Sequence, residues 1–282
     1  MNQIDQDFVY NRYPKNEHDV QMLDSYRKAL KGSELQSDSQ LLRFLPIDES
    51  SCIDNEDVQR LTHFGFMALS IDNDFMNNYY RKWCLHIMGT DLKAILSSDD
   101  SIRLLRASLI EFAILGCIEA KHLMSKLDEL FGNDDAFVES IVNKRCPNLQ
   151  RFLNAHSGAG RGVNIGEEVS SYEQALKEIK AGCKTTHWIW YVFPQMAGIK
   201  GTHSRPALFY GINGRMEAYQ YINHPTLRKR LIEVSEAVLN NTRTVYEIFG
   251  NDTMKVRSCM LLFSTVSDIS VFKQLMRKYR WM

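Results

Sequence analysis

Apolar side chains three and four residues apart recur along this chain, and glycines close several of the runs, a pattern that belongs to amphipathic helices with C-terminal stops. Val20, Leu23, Tyr26 and Leu30 run to Gly32; Phe75, Tyr79, Trp83 and Ile87 run to Gly89. The longest run takes in Ile102, Leu105, Leu109, Phe112, Leu123, Leu127 and Leu130, begins after Ser98-Asp99-Asp100-Ser101 and ends at Gly132. Hydroxyl and acidic residues suit a helix start. The spacing fits one long helix or two that break near Gly116. Further on, Ser170-Ser171-Tyr172-Glu173 reads as a capping box, with Tyr172, Ala175, Leu176 and Ile179 leading to Gly182. Pro225 opens a helix carrying Leu227, Leu231, Val234 and Val238, closed by Asn240-Asn241. Thr244-Val245-Tyr246-Glu247 is a second box before a short helix ending at Gly250, and helices follow over 252–266 and 270–280. The expected fold is mostly α, an N-terminal helical bundle linked to a compact helical C-terminal domain.

The domain boundary is expected where packing side chains run out. Residues 154–166 are rich in glycine and read as a linker, leaving an acidic helical bundle at 1–153 and a basic, aromatic-rich helical domain at 167–282. Net charge is zero over 282 residues, but the part up to residue 166 carries 18 Lys+Arg against 24 Asp+Glu and the rest 16 against 10, giving −6 and +6. That asymmetry fits mutual complementarity or an anionic ligand for the C-terminal part. The cations form no continuous stripe, which argues against nucleic acid. No apolar run approaches the ~20 residues of a membrane span, and residues 1–13 lack a basic start and hydrophobic centre, so a cytoplasmic protein is expected. The six cysteines have no close pair and read as reduced thiols. Gly158, Gly160 and Gly162 lack the preceding strand and the Lys-Ser/Thr ending of nucleotide loops. With no metal-ligand cluster and no Gly-x-Ser-x-Gly elbow, neither a metal nor a bound cofactor is expected.

One segment stands apart. His187-Trp188-Ile189-Trp190-Tyr191-Val192-Phe193 is aromatic and β-branched, which favours a strand, yet every neighbour reads as helix and a lone strand has no partner. A buried helix ending at Pro194 is the expectation. Polar residues frame it: Lys184, Thr185 and Thr186 before, Gln195 after. Indoles beside cations can stack a planar ligand, and the same rings fit plain core packing. The downstream loop with Gly198, Gly201, Thr202, His203, Ser204 and Arg205 is rich in donors, and Tyr210 and Asn213 follow it. Lys184, Arg205 and Arg257 are candidates to hold negative charge, Trp188 or Trp190 to stack, Gln195 to orient, Ser204 and Tyr210 to contact the ligand from the donor-rich loop, and His187 to transfer protons, with His203 and His224 as alternatives. Lys255 and Arg257 also stand at a helix start, where an anion can be held or where they form a solvated face.

The string Gly182-x-Lys184-x-Thr186-His187-Trp188-Ile189-Trp190-Tyr191-Val192-Phe193-Pro194-Gln195, followed by Tyr219-x-x-x-x-His224-Pro225-x-Leu227 and Ile248-Phe249-Gly250, resembles the family catalogued as domain of unknown function 1810. The resemblance covers Ser171 to about Tyr279 and implies a small helical cytosolic domain, found mainly in microbes, with no settled activity. Its usual Gly-Leu-Gly-x-Ser loop appears here as the longer Gly198-Ile199-Lys200-Gly201-Thr202-His203-Ser204. Two functions follow as expectations. In one, the C-terminal domain binds, and processes or simply holds, a small anionic nucleotide-like or ADP-ribose-like ligand. In the other, a non-catalytic protein recognises a protein partner, or a second copy, through its N-terminal bundle.

Overall fold

A computed structural model describes residues 74–159, 170–199 and 204–281, together with Val58, Thr62 and Gly65. The expected helix at 20–30, the donor-rich residues 200–203 with His203, and most of the Gly-rich stretch lie outside the described residues. The chain divides into two compact units, Met1–Ile141 and Val142–Met282. Helices account for the regular structure in both, with no sheet among the described residues; one isolated parallel bridge joins Met196 and Ile212.

In the first unit, α1 (Asp74–Met88) ends before Gly89 as the spacing predicts, and α2 (Leu92–Ile95) is a single turn capped by Asp91. The long periodic run is two helices, α3 (Asp99–Ala113) and α4 (Ile118–Phe131), because Gly116 takes φ 92°, which a helix cannot continue. Ser98 caps α3 by accepting from Ser101 N at 3.2 Å. The fully buried Arg106 pairs with Asp128 of α4, and its second nitrogen donates to Gly132 O at 2.6 Å. Tyr80 stacks on Phe112 with centroids 3.8 Å apart and shares a hydrogen bond of 2.7 Å with Ser108. A Cβ on Gly65 would overlap both Ser108 Oγ and the Tyr80 ring, so that close approach requires glycine.

In the second unit the chain runs from α5 (Asp135–Arg145, begun in the first) through a 3-10 turn at Pro147–Leu149 to α6 (Gln150–His156), α7 (Tyr172–Ala181) and α8 (Ile189–Val192). Then come α9 (Arg205–Phe209), α10 (Gly214–Asn223), α11 (Pro225–Leu239), α12 (Val245–Phe249), α13 (Thr253–Val266) and α14 (Ser270–Lys278). α11 packs on α7, α10 and α14, and α13 on α10 and α14. Residues 154–156, where the Gly-rich stretch is expected to begin, are instead the last turn of α6, and the rest of the stretch falls between α6 and α7, two helices of this unit that pack on each other.

The sequence signals for helix starts locate α7, α11 and α12, with one shift. Ser171, not Ser170, caps α7: its side chain accepts from Gln174 N at 3.2 Å, and Gln174 turns its own side chain to Glu178 instead of closing a box. Thr244 and Glu247 form the complete reciprocal box. The imidazole of His224 caps α11, its Nδ1 accepting from Leu227 N at 3.4 Å ahead of Pro225, while Nε2 bonds Asn143 Oδ1 at 3.1 Å. The aromatic run is helical for one turn only. Trp188, Ile189, Tyr191, Val192 and Phe193 are buried, and the rings of Trp188 and Phe193 meet Phe249 edge-on, centroids 6.1 and 5.7 Å apart.

Candidate functional site

α7 places a carboxylate on its buried face. Glu178 lies three residues after Ala175 and next to Ile179, so helical geometry carries it inward with the apolar stripe. Its two oxygens accept five hydrogen bonds: from Gln174 Nε2 (2.9 Å), Thr185 N (2.7 Å), Thr186 N (3.1 Å), Thr186 Oγ1 (2.7 Å) and Trp188 Nε1 (2.7 Å). Burial alone would raise the pKa of Glu178, but these donors together outweigh it and hold the group down at about 2. A carboxylate so saturated has no lone pair left for proton transfer. It pins the segment that follows α7.

That segment leaves the helix through a Schellman motif. Gly182 adopts φ 76°, its N–H bonds Ile179 O at 2.9 Å and Cys183 N–H bonds Glu178 O at 3.1 Å. Lys184 N then donates to Ile248 O at 2.9 Å, which ties the segment to α12. The result presents Lys184, His187 and Trp190 beside the start of α13. Lys184 Nζ lies 2.9 Å from Asp252 Oδ2, and Lys255 Nζ lies 2.5 Å from Asp252 Oδ1. Each ammonium also sits over an indole: Lys184 at 5.6 Å from the Trp188 centroid, Lys255 at 5.8 Å from that of Trp190. The exposed His187 ring lies nearly parallel to Trp190, 19° between planes and 6.5 Å between centroids. Trp190 Nε1 is buried without a hydrogen-bond partner. Burial would raise the Asp252 carboxyl, but the hydrogen bonds and charges of the two lysines outweigh this and keep its pKa below the ordinary value.

Among the named candidates the structure sorts three from the rest. Trp188 belongs to the core, fully buried with its indole N–H spent on Glu178, which leaves Trp190 as the half-buried ring a ligand can reach. Gln195 is buried where its carbonyl accepts from Ile212 N at 2.9 Å, its side-chain nitrogen without a partner. Tyr210 is buried against Tyr191, Phe152 and Phe209, and burial raises its pKa. Ser204 caps α9 through Ala207 N at 3.4 Å, Arg205 is exposed in its first turn, and Arg257 reaches Trp281 O at 3.4 Å. Among the described residues no hydrogen bond, ion pair or ring contact joins Gln195, Ser204, Arg205, Tyr210 or Arg257 to the Lys184–His187–Trp190 group. His224, offered as an alternative proton carrier, is occupied as a helix cap.

Glu178 and Asp252 escaped the sequence reading, and for Glu178 a signal existed: an acidic residue at an inward position of an otherwise apolar stripe. Asp252 gave none, since Lys184 lies 68 positions away in the sequence. A third missed group is partly buried. Arg151 holds both oxygens of Glu217, at 2.7 and 3.1 Å, and donates to Gly211 O at 3.0 Å; Asn213 N adds a bond of 2.6 Å to the same carboxylate. No group of three or more His, Cys, Asp or Glu among the described residues could hold a metal ion, and none of their helices is long and apolar enough to cross a membrane.

Comparison with known proteins adds a family. No curated protein matches the chain. One solved structure that does is the crystal structure of the conserved hypothetical protein Rv1873 from Mycobacterium tuberculosis, 34% identical, with a TM-score of 0.41, over 47% of this chain and 87% of that one. The family described as protein of unknown function (DUF1810) matches residues 147–281, starting at the 3-10 turn before α6 and spanning every element that builds the Lys184–His187–Trp190 group. The C-terminal part of this chain belongs to that family, and the part before it has no family match.

Proposed function

We propose that the C-terminal unit binds a small anionic ligand with a planar group, nucleotide-like or ADP-ribose-like, on the face made by Lys184, His187, Trp190 and Lys255. The observation that carries this reading is the setting of Trp190: a cation over its ring, an exposed imidazole nearly parallel to it, and a buried N–H without a partner. Aromatic faces take bases of any identity, and ammonium groups nearby take phosphate. His187, exposed and nearly parallel to Trp190, would exchange a proton with whatever binds.

The test is calorimetric titration of the full chain with AMP, ADP-ribose and NAD, beside thermal denaturation. A ligand present at a hundredfold its Kd stabilises by about 2.7 kcal/mol, which a melting curve resolves. Trp190→Ala removes the stacking surface and should weaken binding by about 5- to 150-fold, stacking being worth ~1–3 kcal/mol per base. No heat and no shift across the panel would sink the reading.

A second reading, recognition of a protein partner by the acidic N-terminal part, draws on Leu85, Leu115 and Ile118, which are each about half exposed in the first unit. A partner captured by the full chain should be lost on Leu115→Asp; undiminished capture would count against that surface.

A further inference from the structure

Asp252 ends the 3-10 turn Gly250–Asp252, which runs without a break into α13, and with its backbone already helical (φ −79°, ψ −4°) its side chain caps nothing. It turns its carboxylate to Lys184 and Lys255 instead, at 2.9 and 2.5 Å, and so bridges the segment after α7 to α13. Both lysine side chains are largely withdrawn from water, with exposures of 12% and 26%, while the carboxylate keeps 20%. Two ammonium groups facing one carboxylate leave a positive charge uncompensated, at the end of a 14-residue helix whose dipole adds to it. The same two ammonium groups lie over Trp188 and Trp190, so whatever holds them sits beside the ring assigned to the planar group.

We infer that Asp252 is the internal occupant of the anion position, standing where the phosphate of a phosphate-ester ligand makes its contacts with Lys184 and Lys255. This rests on the binding face proposed above and adds two things to it: the ligand's anion is a phosphate, and it competes with a carboxylate of the protein. A dianionic phosphate satisfies two ammonium groups better than one carboxylate does, and three oxygens allow both lysines to be held at once. A ligand carrying only a planar group gains nothing from displacing Asp252, so the competition selects for phosphorylated ligands.

The experiment compares the unaltered 282-residue chain with Asp252→Asn, titrating each with AMP, with adenosine and with inorganic phosphate. Removal of the competing charge should tighten AMP and phosphate by ~10-fold or more and leave adenosine within about twofold, with the gain shrinking as salt is raised. Phosphate or AMP binding to Asp252→Asn alone, too weak to detect in the unaltered protein, supports the inference equally. Equal or weaker AMP binding by the variant, where the unaltered protein binds, overturns it and makes Asp252 a group that positions the lysines. Silence of both proteins toward AMP and phosphate overturns the inference together with the binding face. Should Asp252→Asn fail to fold, Asp252→Ser, a smaller polar side chain without the charge, carries the same comparison.

Discussion

Glu178 is the residue on which the candidate face depends, although it touches no ligand position. Replacing its carboxylate by an amide keeps the shape but turns one acceptor into a donor, against Thr185 N–H, Thr186 N–H and the Trp188 indole, all already donors. Leaving buried donors unsatisfied costs ~1–3 kcal/mol for a neutral group, and more where a charge was the partner. Glu178→Gln is therefore expected to destabilise the protein by about 3 kcal/mol, read as a lower urea midpoint with the slope unchanged. A loss below about 1 kcal/mol would show that the segment after α7 is held by its neighbours instead. His156 makes the opposite point at the same scale. Its Nε2 bonds Tyr191 O at 2.9 Å while its Nδ1 has no partner, and burial lowers its pKa to about 4. It is a packed, neutral imidazole beside the aromatic run, and sequence alone had no reason to single it out.

At the scale of elements, what was legible was punctuation. Thr244 with Glu247, Pro225, Ser98, and the glycines at 89, 132, 182 and 250 each act through the chain next to them, so a linear reading finds them. Gly116 was legible as a break but not as a certain one, because a mid-helix glycine is also tolerated at modest cost; its φ of 92° decides for two helices. The shift from Ser170 to Ser171 has a plain cause: adjacent serines offer two caps, and Gln174 is drawn away to the Glu178 carboxylate. Gly182 is the element-scale position with the sharpest consequence. At φ 76° an alanine is strained by roughly 1 kcal/mol, and its Cβ would lie 2.6 Å from Arg243 Cδ, so that side chain must also move. Gly182→Ala should cost about 1–2 kcal/mol in a denaturation curve, and because α7 hands the chain directly to Lys184, it should also weaken any ligand bound beside Trp190. Loss of stability without loss of affinity would uncouple the helix end from the face.

Across the whole molecule, the class of fold followed from periodicity, whereas the candidate face and the buried polar contacts around it rest on pairs that periodicity does not report. Lys184 with Asp252, Arg151 with Glu217 and Trp188 with Glu178 join different elements, and their partners are chosen by packing directions that emerge only when the helices assemble. The same buried groups set how stability should vary with acidity. For His156 the folded pKa of about 4 lies below the ordinary 6.5, so between these values the unfolded chain binds the proton and the folded one does not. Its share of stability is complete above pH 6.5 and drains as pH falls toward 4, by on the order of 3 kcal/mol. Glu178, with a folded pKa of about 2 against an ordinary 4.5, contributes stability that is complete above pH 4.5 and is lost as pH falls through 2. The stability of the second unit, read from denaturation followed by tryptophan fluorescence, should thus fall in two successive stages on acidification, the first beginning near pH 6.5 with the imidazole. His156→Gln offers a ring-free side chain that does not titrate, and it should flatten the decline between pH 6.5 and 4 while leaving the steeper acid loss below 4.5. A decline that persists unchanged in that variant would assign the first stage to another group.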